Sequence, residues 1–222
     1  MEQRHSLAWV SESPTPSIAT VSLGLRLVSL FTGLVLCGVG IALTVQADLG
    51  LGPWDVFHQG VSELTGIPIG TVTILTGAAV LLAWIPLRQR PGFGTIANMI
   101  VIGLVTDLAL LWLPEPDVLG VRIAFMLAGV FVFGPGSGLY IGAGLGPGPR
   151  DGLMTGLAAR GPSIRLVRTG LEVTALAVGL ALGGTVGVGT VLFALTIGPN
   201  VQFWLERVAI VPRHAPPTPE IG

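Results

Sequence analysis

A six-residue motif occurs twice in this chain, Gly-Leu-Gly-Pro-Trp-Asp at 50–55 and Gly-Pro-Gly-Pro-Arg-Asp at 146–151. The similarity extends beyond the motif. Residues 26–60 align without a gap on 122–156, and 12 of these 35 positions are identical. Self-similarity at a fixed spacing is typical of a structural unit used more than once. The chain therefore predicts two copies of one unit of about 95 residues.

Six apolar stretches show what this unit is made of. Of the 222 residues, 51% are hydrophobic and 10% are charged, whereas soluble domains carry about 25% charged residues. A membrane-spanning helix needs about 20 mostly apolar residues. The sequence predicts an all-α polytopic membrane helix bundle with the lipid bilayer as its surroundings. The six predicted transmembrane helices are 23–45, 70–87, 95–113, 123–143, 166–182 and 190–208.

Three spans in each copy make the two copies cross the membrane in opposite directions. The predicted order is a cytoplasmic tail at 1–22, a first repeat at 23–115, an inverted second repeat at 116–209 and a disordered cytoplasmic tail at 210–222. Inverted repeats of this kind are found in many secondary transporters. In this arrangement the two copies of the motif lie on opposite faces of the membrane.

The arginines orient this arrangement. The chain contains 11 arginines and no lysine, and with an inner N-terminus all of them except Arg122 fall on the inner side. Basic residues concentrate in cytoplasmic segments. We therefore expect a bacterial cytoplasmic (inner) membrane protein with both termini in the cytoplasm. Arg122 is the repeat counterpart of Arg26, which explains its place at the start of a span.

The repeated motif is predicted to end one helix and begin another. Glycine permits positive φ angles and close backbone approach, and proline suits the first position of a helix. Short helices are predicted at 54–64 and 150–160, about three turns each and too short to cross a bilayer. They could be re-entrant or lie at the interface. The motif residues proposed to shape the loops are Gly50, Gly52, Pro53, Gly146, Gly148 and Pro149.

Two interpretations are open for the aspartates of the motif, Asp55 and Asp151. Each falls in a first helical turn, where a carboxylate caps free N–H groups and suits the positive end of the helix dipole. Alternatively, they form a related pair that binds a proton or a cation, because transporters build such sites at broken helices. His58, three residues after Asp55, either relays a proton or is a polar residue at the interface.

Three further polar residues within the apolar stretches are candidates for substrate or ion binding. Asp107 lies two-thirds of the way along the third span, where an ionisable group is costly and suggests function; alternatively it pairs with an arginine or caps a neighbouring helix. Gln202 is its repeat counterpart. Glu172 follows Arg168 by four residues, so that an ion pair along the helix explains it as well as a functional role does.

Several other classes of function find no support in the sequence. It has no phosphate-binding loop, no metal-spaced Cys/His cluster and a single cysteine, Cys37. We expect no enzyme activity, no catalytic residues, no cofactor, no metal and no nucleic-acid partner. A small-molecule or ion substrate is expected, and the pattern allows an oligomer.

The repeated Gly-x-Gly-Pro-x-Asp after an apolar span, Asp107 in the third span and the six-helix size resemble the YczE/YyaS/YitT family of bacterial membrane proteins, YczE in particular. The resemblance covers residues 20–210 and implies a bacterial membrane protein without an assigned substrate. Two hypotheses for function follow. The first is a small secondary transporter or permease for an unidentified small solute, and the second is a non-transporting accessory or substrate-capture subunit.

Overall fold

The computed structural model describes residues 21–211, which form eight α-helices and no strand. Five of these helices are long and apolar enough to cross a membrane, namely α1, α3, α4, α5 and α8. The predicted all-α polytopic helix bundle is confirmed. The helices are α1 Leu23–Ala47, α2 Pro53–Thr65, α3 Ile69–Leu87, α4 Phe93–Trp112, α5 Leu119–Gly142, α6 Pro149–Ala158, α7 Ile164–Ala181 and α8 Val188–Val208.

The sixth predicted span, 166–182, is also helical and coincides with α7. This helix has 18 residues and carries three charged side chains, Arg165, Arg168 and Glu172, so it is less apolar than the other five. The short helices predicted at 54–64 and 150–160 are α2 and α6. Apart from residues 21–22 and 210–211, the predicted tails lie outside the described residues.

The centre of the bundle is the pair α1 and α5, which are repeat counterparts and run antiparallel. A Cβ placed on Gly33 would lie 2.6 Å from the Gly136 carbonyl oxygen, and one on Gly40 would lie 2.9 Å from the Gly129 oxygen. As the residue number rises in α1 it falls in α5, which fixes the opposite directions. Small residues let helix backbones approach closely without a gap.

At each end of this helix pair, an arginine at the start of one helix donates to a carbonyl group at the end of the other. At the start of α1, the Arg26 Nε donates to the Ala143 carbonyl oxygen just beyond the end of α5, at 2.9 Å. At the start of α5, the Arg122 Nε donates to the Ala47 carbonyl oxygen at the end of α1, at 2.8 Å, and its Nη2 pairs with the Asp48 carboxylate at 2.7 Å. Each arginine therefore satisfies carbonyl groups that a helix end leaves without a partner.

Of the remaining helices, the two short ones pack on the opposite half of the sequence, and two long ones, α4 and α8, pack within their own half. Helix α2 packs on α7, and α6 packs on α3, while α4 lies against α1 and α8 against α5. On the α6 side, the indole Nε1 of the buried Trp84 donates to the Pro149 carbonyl oxygen at 3.0 Å. On the α2 side, a Cβ on Gly60 would lie 2.6 Å from the Gly179 carbonyl oxygen. Each short helix is thus held by the opposite half.

One pairing breaks this symmetry. Helices α3 and α4 pack closely, whereas their repeat counterparts α7 and α8 are barely in contact. The outer faces of the bundle expose many large apolar side chains, among them Leu82, Leu111 and Leu195. Lipid tails are as apolar as leucine, so these faces suit a bilayer.

Candidate functional site

Both short helices begin with the same local structure. Gly52 and Gly148 are the N-caps of α2 and α6 in extended conformation, and a proline follows each as the first helical residue. Upstream, Gly50 and Gly146 have φ angles of 102° and 129°, which side chains other than glycine rarely adopt. The predicted role of the motif in ending one helix and starting another is what the structure shows.

Each loop docks on the start of a long helix from the other half. The Gly189 N–H at the start of α8 donates to the Leu49 carbonyl oxygen at 2.7 Å. In the second copy, the Gly94 N–H at the start of α4 donates to the Leu145 oxygen at 2.8 Å. These contacts explain why Gly-x-Gly-Thr is also repeated, at 92–95 and 187–190. The docking sets where α2 and α6 begin.

The first turns of α2 and α6 converge. The Arg150 guanidinium lies over the Trp54 ring, 5.6 Å from its centre, and these two residues are counterparts in the repeat. The sequence placed the two loops on opposite faces of the membrane. In the structure their long side chains nevertheless meet, because each short helix starts inside the bundle against a long helix. Gly52 lies against the Phe193 ring and Gly148 near the Asn98 side chain.

A cavity of about 410 Å³ opens at this meeting point, between the two halves. It extends to the gap between α7 and α8, which line it with Arg168, Glu172 and Gln202. A smaller space of about 50 Å³ adjoins it beside His58 and Thr73. The charged residues that line the larger cavity are Asp55, Arg150, Asp151, Arg168 and Glu172.

Asp55 and His58 form one polar pair at this cavity. Both are buried, with 6% and 5% of their surface exposed. The Asp55 Oδ1 lies 3.5 Å from the His58 Nδ1, and the same ring nitrogen lies 3.2 Å from the Thr73 hydroxyl on α3. The burial shows that His58 does not lie on an exposed surface. A carboxylate and a hydroxyl at one nitrogen of an imidazole make a site that can hold a proton.

Asp151, the counterpart of Asp55, has a different partner. It is half-buried and accepts a hydrogen bond from the Tyr140 hydroxyl at 3.3 Å. The position equivalent to His58 is Met154, which also lines the cavity. The two aspartates therefore face one cavity with unlike neighbours, and neither contacts an arginine in the part of the chain that the structure describes.

Arg150 is the functional candidate that sequence reasoning missed. It is exposed to the cavity, and within residues 21–211 its guanidinium makes neither a hydrogen bond nor an ion pair; its one recorded partner is the Trp54 ring. The sequence analysis used Arg150 only as one of the arginines that indicate the cytoplasmic side. Its alignment with Trp54 in the repeat was the signal that could have drawn attention to it.

The structure does not bring Asp107 to the cavity. Its carboxylate accepts the Gly70 N–H at 2.6 Å and the Thr71 hydroxyl at 2.8 Å. These groups belong to the first turn of α3, whose N-cap Pro68 makes no side-chain cap. Of the alternatives given above, the geometry is that of a carboxylate capping a neighbouring helix.

Glu172 and Gln202 lie at the edge of the cavity, each with a partner on its own helix. The Arg168 Nε donates to the Glu172 Oε1 at 3.0 Å, which is the ion pair expected from the spacing. The Gln202 Nε2 donates to the Glu206 Oε1 at 3.1 Å. Within residues 21–211 no group of three or more His, Cys, Asp or Glu side chains is placed to hold a metal ion.

Comparison with known proteins identifies the family of this chain. Residues 24–206 match a family described as a family of unknown function, DUF6198. The chain belongs to this family. An uncharacterized protein of Haemophilus influenzae (strain ATCC 51907 / DSM 11121 / KW20 / Rd) is 44% identical over 188 residues, which cover 84% of this chain and 86% of that protein.

Two proteins of Bacillus subtilis (strain 168) are also similar to this DUF6198 chain. The uncharacterized membrane protein YczE is 35% identical over 186 residues, covering 82% of this chain and 86% of YczE. The uncharacterized protein YyaS is 25% identical over 189 residues, covering 82% and 92%. No solved structure matches the chain significantly. The predicted likeness to YczE and YyaS is confirmed.

Proposed function

We propose that this chain is a small secondary transporter of the bacterial cytoplasmic membrane, with both termini in the cytoplasm, that carries a small solute through the cavity between its halves. The observation that carries the proposal is the cavity itself. Five charged side chains line it at the point where two short helices begin inside a bundle of apolar helices. Charged groups in such a place are costly and are retained for function.

The arrangement of the helices supports this function. Antiparallel α1 and α5, together with the crossing of α2 and α6 into opposite halves, fit two three-span repeats of inverted topology. Transporters with such repeats bind substrate near the midplane, at broken helices between the repeats. In alternating access, the helix pair that is closed in one half then opens, while its counterpart in the other half closes. Here α3–α4 is closed and α7–α8 is open, which fits one end state of that exchange.

The two aspartates take different roles in this proposal. Asp55 is buried beside His58, and both Asp55 and the Thr73 hydroxyl of α3 lie at the same His58 ring nitrogen. We assign proton binding to this pair. Asp151, more open and beside the Tyr140 hydroxyl, is assigned to the substrate. Asp107, which caps α3, has no part in either step.

Cysteine accessibility tests the proposal without knowledge of the substrate. In a Cys37→Ala background, Ile197→Cys places one thiol on the cavity-lining face of α8. A membrane-impermeant maleimide is added to right-side-out and to inverted vesicles. We expect labelling from both sides, because alternating access exposes the cavity to each in turn.

Leu195→Cys in the same background is the matched control. Leu195 lies on the outer face of the same helix with 71% of its surface exposed, and in a bilayer its thiol should resist the polar reagent from either side. Labelling of Ile197→Cys from one side only would contradict transport and favour a substrate-capture subunit. Labelling from neither side would leave a non-transporting accessory protein.

A further inference from the structure

We propose that the cavity binds a small zwitterion, with its carboxylate at Arg150 and its ammonium group at Asp151. An amino acid with a neutral side chain has this pattern of charge. The inference deepens the transporter proposed above, on which its placement in a transport cycle rests. Binding itself can be tested separately.

The anion-binding half of the site is Arg150 and its surroundings. The guanidinium stacks on the Trp54 ring and uses none of its five donors within the described residues. It stands in the first turn of α6, across from the first turn of α2. A planar fork of unused donors is well suited to a carboxylate.

The cation-binding half of the site is Asp151, a carboxylate beside the Tyr140 hydroxyl and without a permanently charged partner. Asp55 has the His58 ring and belongs to the proton-binding pair assigned above. The other two charged groups of the cavity, Arg168 and Glu172, neutralise each other at 3.0 Å. One cation, Arg150, and one carboxylate, Asp151, therefore remain for the ligand.

This balance selects a ligand that carries both signs. A ligand with only a carboxylate would suit Arg150 but would bring a second negative charge next to Asp151. A ligand with only an amine would leave Arg150 without an anion and repel it. Unpaired and like charges inside a protein cavity are costly. A zwitterion avoids both costs.

The volume and the lining residues of the cavity indicate the size and the side chain of the ligand. A volume of about 410 Å³ lies within the range of small-molecule sites, roughly 300–1,000 Å³. Apolar side chains of Ile102, Phe133 and Phe193 line it beside the charged groups. This composition suits an aliphatic or aromatic side chain and leaves no charged group for a third ionic contact.

The test uses the full chain, purified in lipid nanodiscs, and compares matched probes. Leucine carries both charges, 4-methylpentanoate carries only the carboxylate, and 3-methylbutylamine carries only the amine. Glycine, alanine and phenylalanine complete the panel of zwitterions. Affinities are measured by equilibrium dialysis of radiolabelled compounds. We expect at least one of these four amino acids to bind, and leucine to bind about tenfold or more tightly than both of its analogues.

Charge-removing variants assign each half of the ligand. Arg150→Gln should lower leucine affinity about tenfold or more while 3-methylbutylamine binding improves, since repulsion is removed. Asp151→Asn should shift the preference the other way, toward 4-methylpentanoate. A merely structural role would weaken all three probes alike. Arg165→Gln and Asp117→Asn are the controls, because both residues are exposed and line neither cavity.

Three outcomes would overturn the inference. Equal or tighter binding of 4-methylpentanoate would make this an anion site, and equal or tighter binding of 3-methylbutylamine would make it a cation site. Binding of none of the four amino acids would remove the zwitterion altogether. The cysteine labelling described above uses no ligand, so the zwitterion can fail while transport stands, and transport can fail while the zwitterion binds.

Discussion

The pair α3–α4 and its counterpart α7–α8 have the same place in the repeat and differ in how closely they pack. In the first pair, a Cβ on Gly103 would collide with the Gly70 carbonyl oxygen, and Asp107 caps the start of α3. In the second repeat, 95 residues later, the position of Gly70 is occupied by Arg165 and that of Asp107 by Gln202. Of the three residues only Gly103 has an identical counterpart, Gly198. A Cβ on Gly198 meets nothing within 4 Å.

This difference teaches that one fold can hold a closed and an open pairing when a few contact residues change. An arginine cannot replace a glycine that touches a neighbouring backbone, and the glutamine bonds along its own helix instead of capping α7. The closed pair is therefore fixed by its own residues. We expect the movement that transport requires to fall mainly on α7.

The largest expected effect separates the two glycines of this comparison. Gly103→Leu should force α3 from α4 and destabilise the protein by about 3 kcal/mol, at the upper end for overpacking. Gly198→Leu should cost less than about 0.5 kcal/mol, as for a substitution away from close contacts. Thermal unfolding in detergent measures both. Equal losses would mean that α7 and α8 pack as closely as α3 and α4.

The next effect concerns the cap on α3. Asp107→Ala removes two hydrogen bonds and should cost about 1.5 kcal/mol, while Asp107→Asn keeps an acceptor for the Gly70 N–H and should recover most of that loss. Gln202→Ala, the counterpart, should have little effect on thermal unfolding. If Asp107→Asn is as stable as the native chain but loses solute flux, Asp107 carries a charge that function needs and is more than a cap.

The smallest effect concerns the open pair. Glu172→Gln breaks an ion pair whose side chains are exposed by 36% and 54%, so it should change stability by less than about 0.5 kcal/mol. The expected change is in the cavity, where Arg168 is released as a second free cation. Binding of 4-methylpentanoate should then rise relative to leucine. No change in this ratio would show that the pair lies too far from the ligand to matter.

The sequence predicted most of the fold because its signals are local. Apolar stretches marked the long helices, and the Gly-Pro pairs marked the starts of α2 and α6 to within a residue. It also offered Asp55 and Asp151 as a related pair, and both line the larger cavity, while their role stays a prediction. The sequence could not show how deeply α2 and α6 enter the bundle or which residues they contact there. How far a short helix enters the bundle depends on the loop docking on α4 and α8, so the meeting of Trp54 with Arg150 was not foreseen.

Asp107 illustrates the opposite limit. The sequence shows that Asp107 lies deep in an apolar helix. It cannot show whether the carboxylate caps another helix or binds a solute, because both roles suit an aspartate at that depth. Only the position of the α3 start, 2.6 Å away, separates the two. The cavity could not be predicted either, because it depends on where the two short helices meet and on the gap between α7 and α8.

The crossed arginine contacts of α1 and α5 have a consequence for biosynthesis. Arg26 finds its carbonyl partners at residues 143 and 144, so α1 is translated more than a hundred residues before those acceptors exist. Within the first half α1 can pack against α4, but its larger partner, α5, is made later. The native contacts of this guanidinium therefore require both halves of the chain.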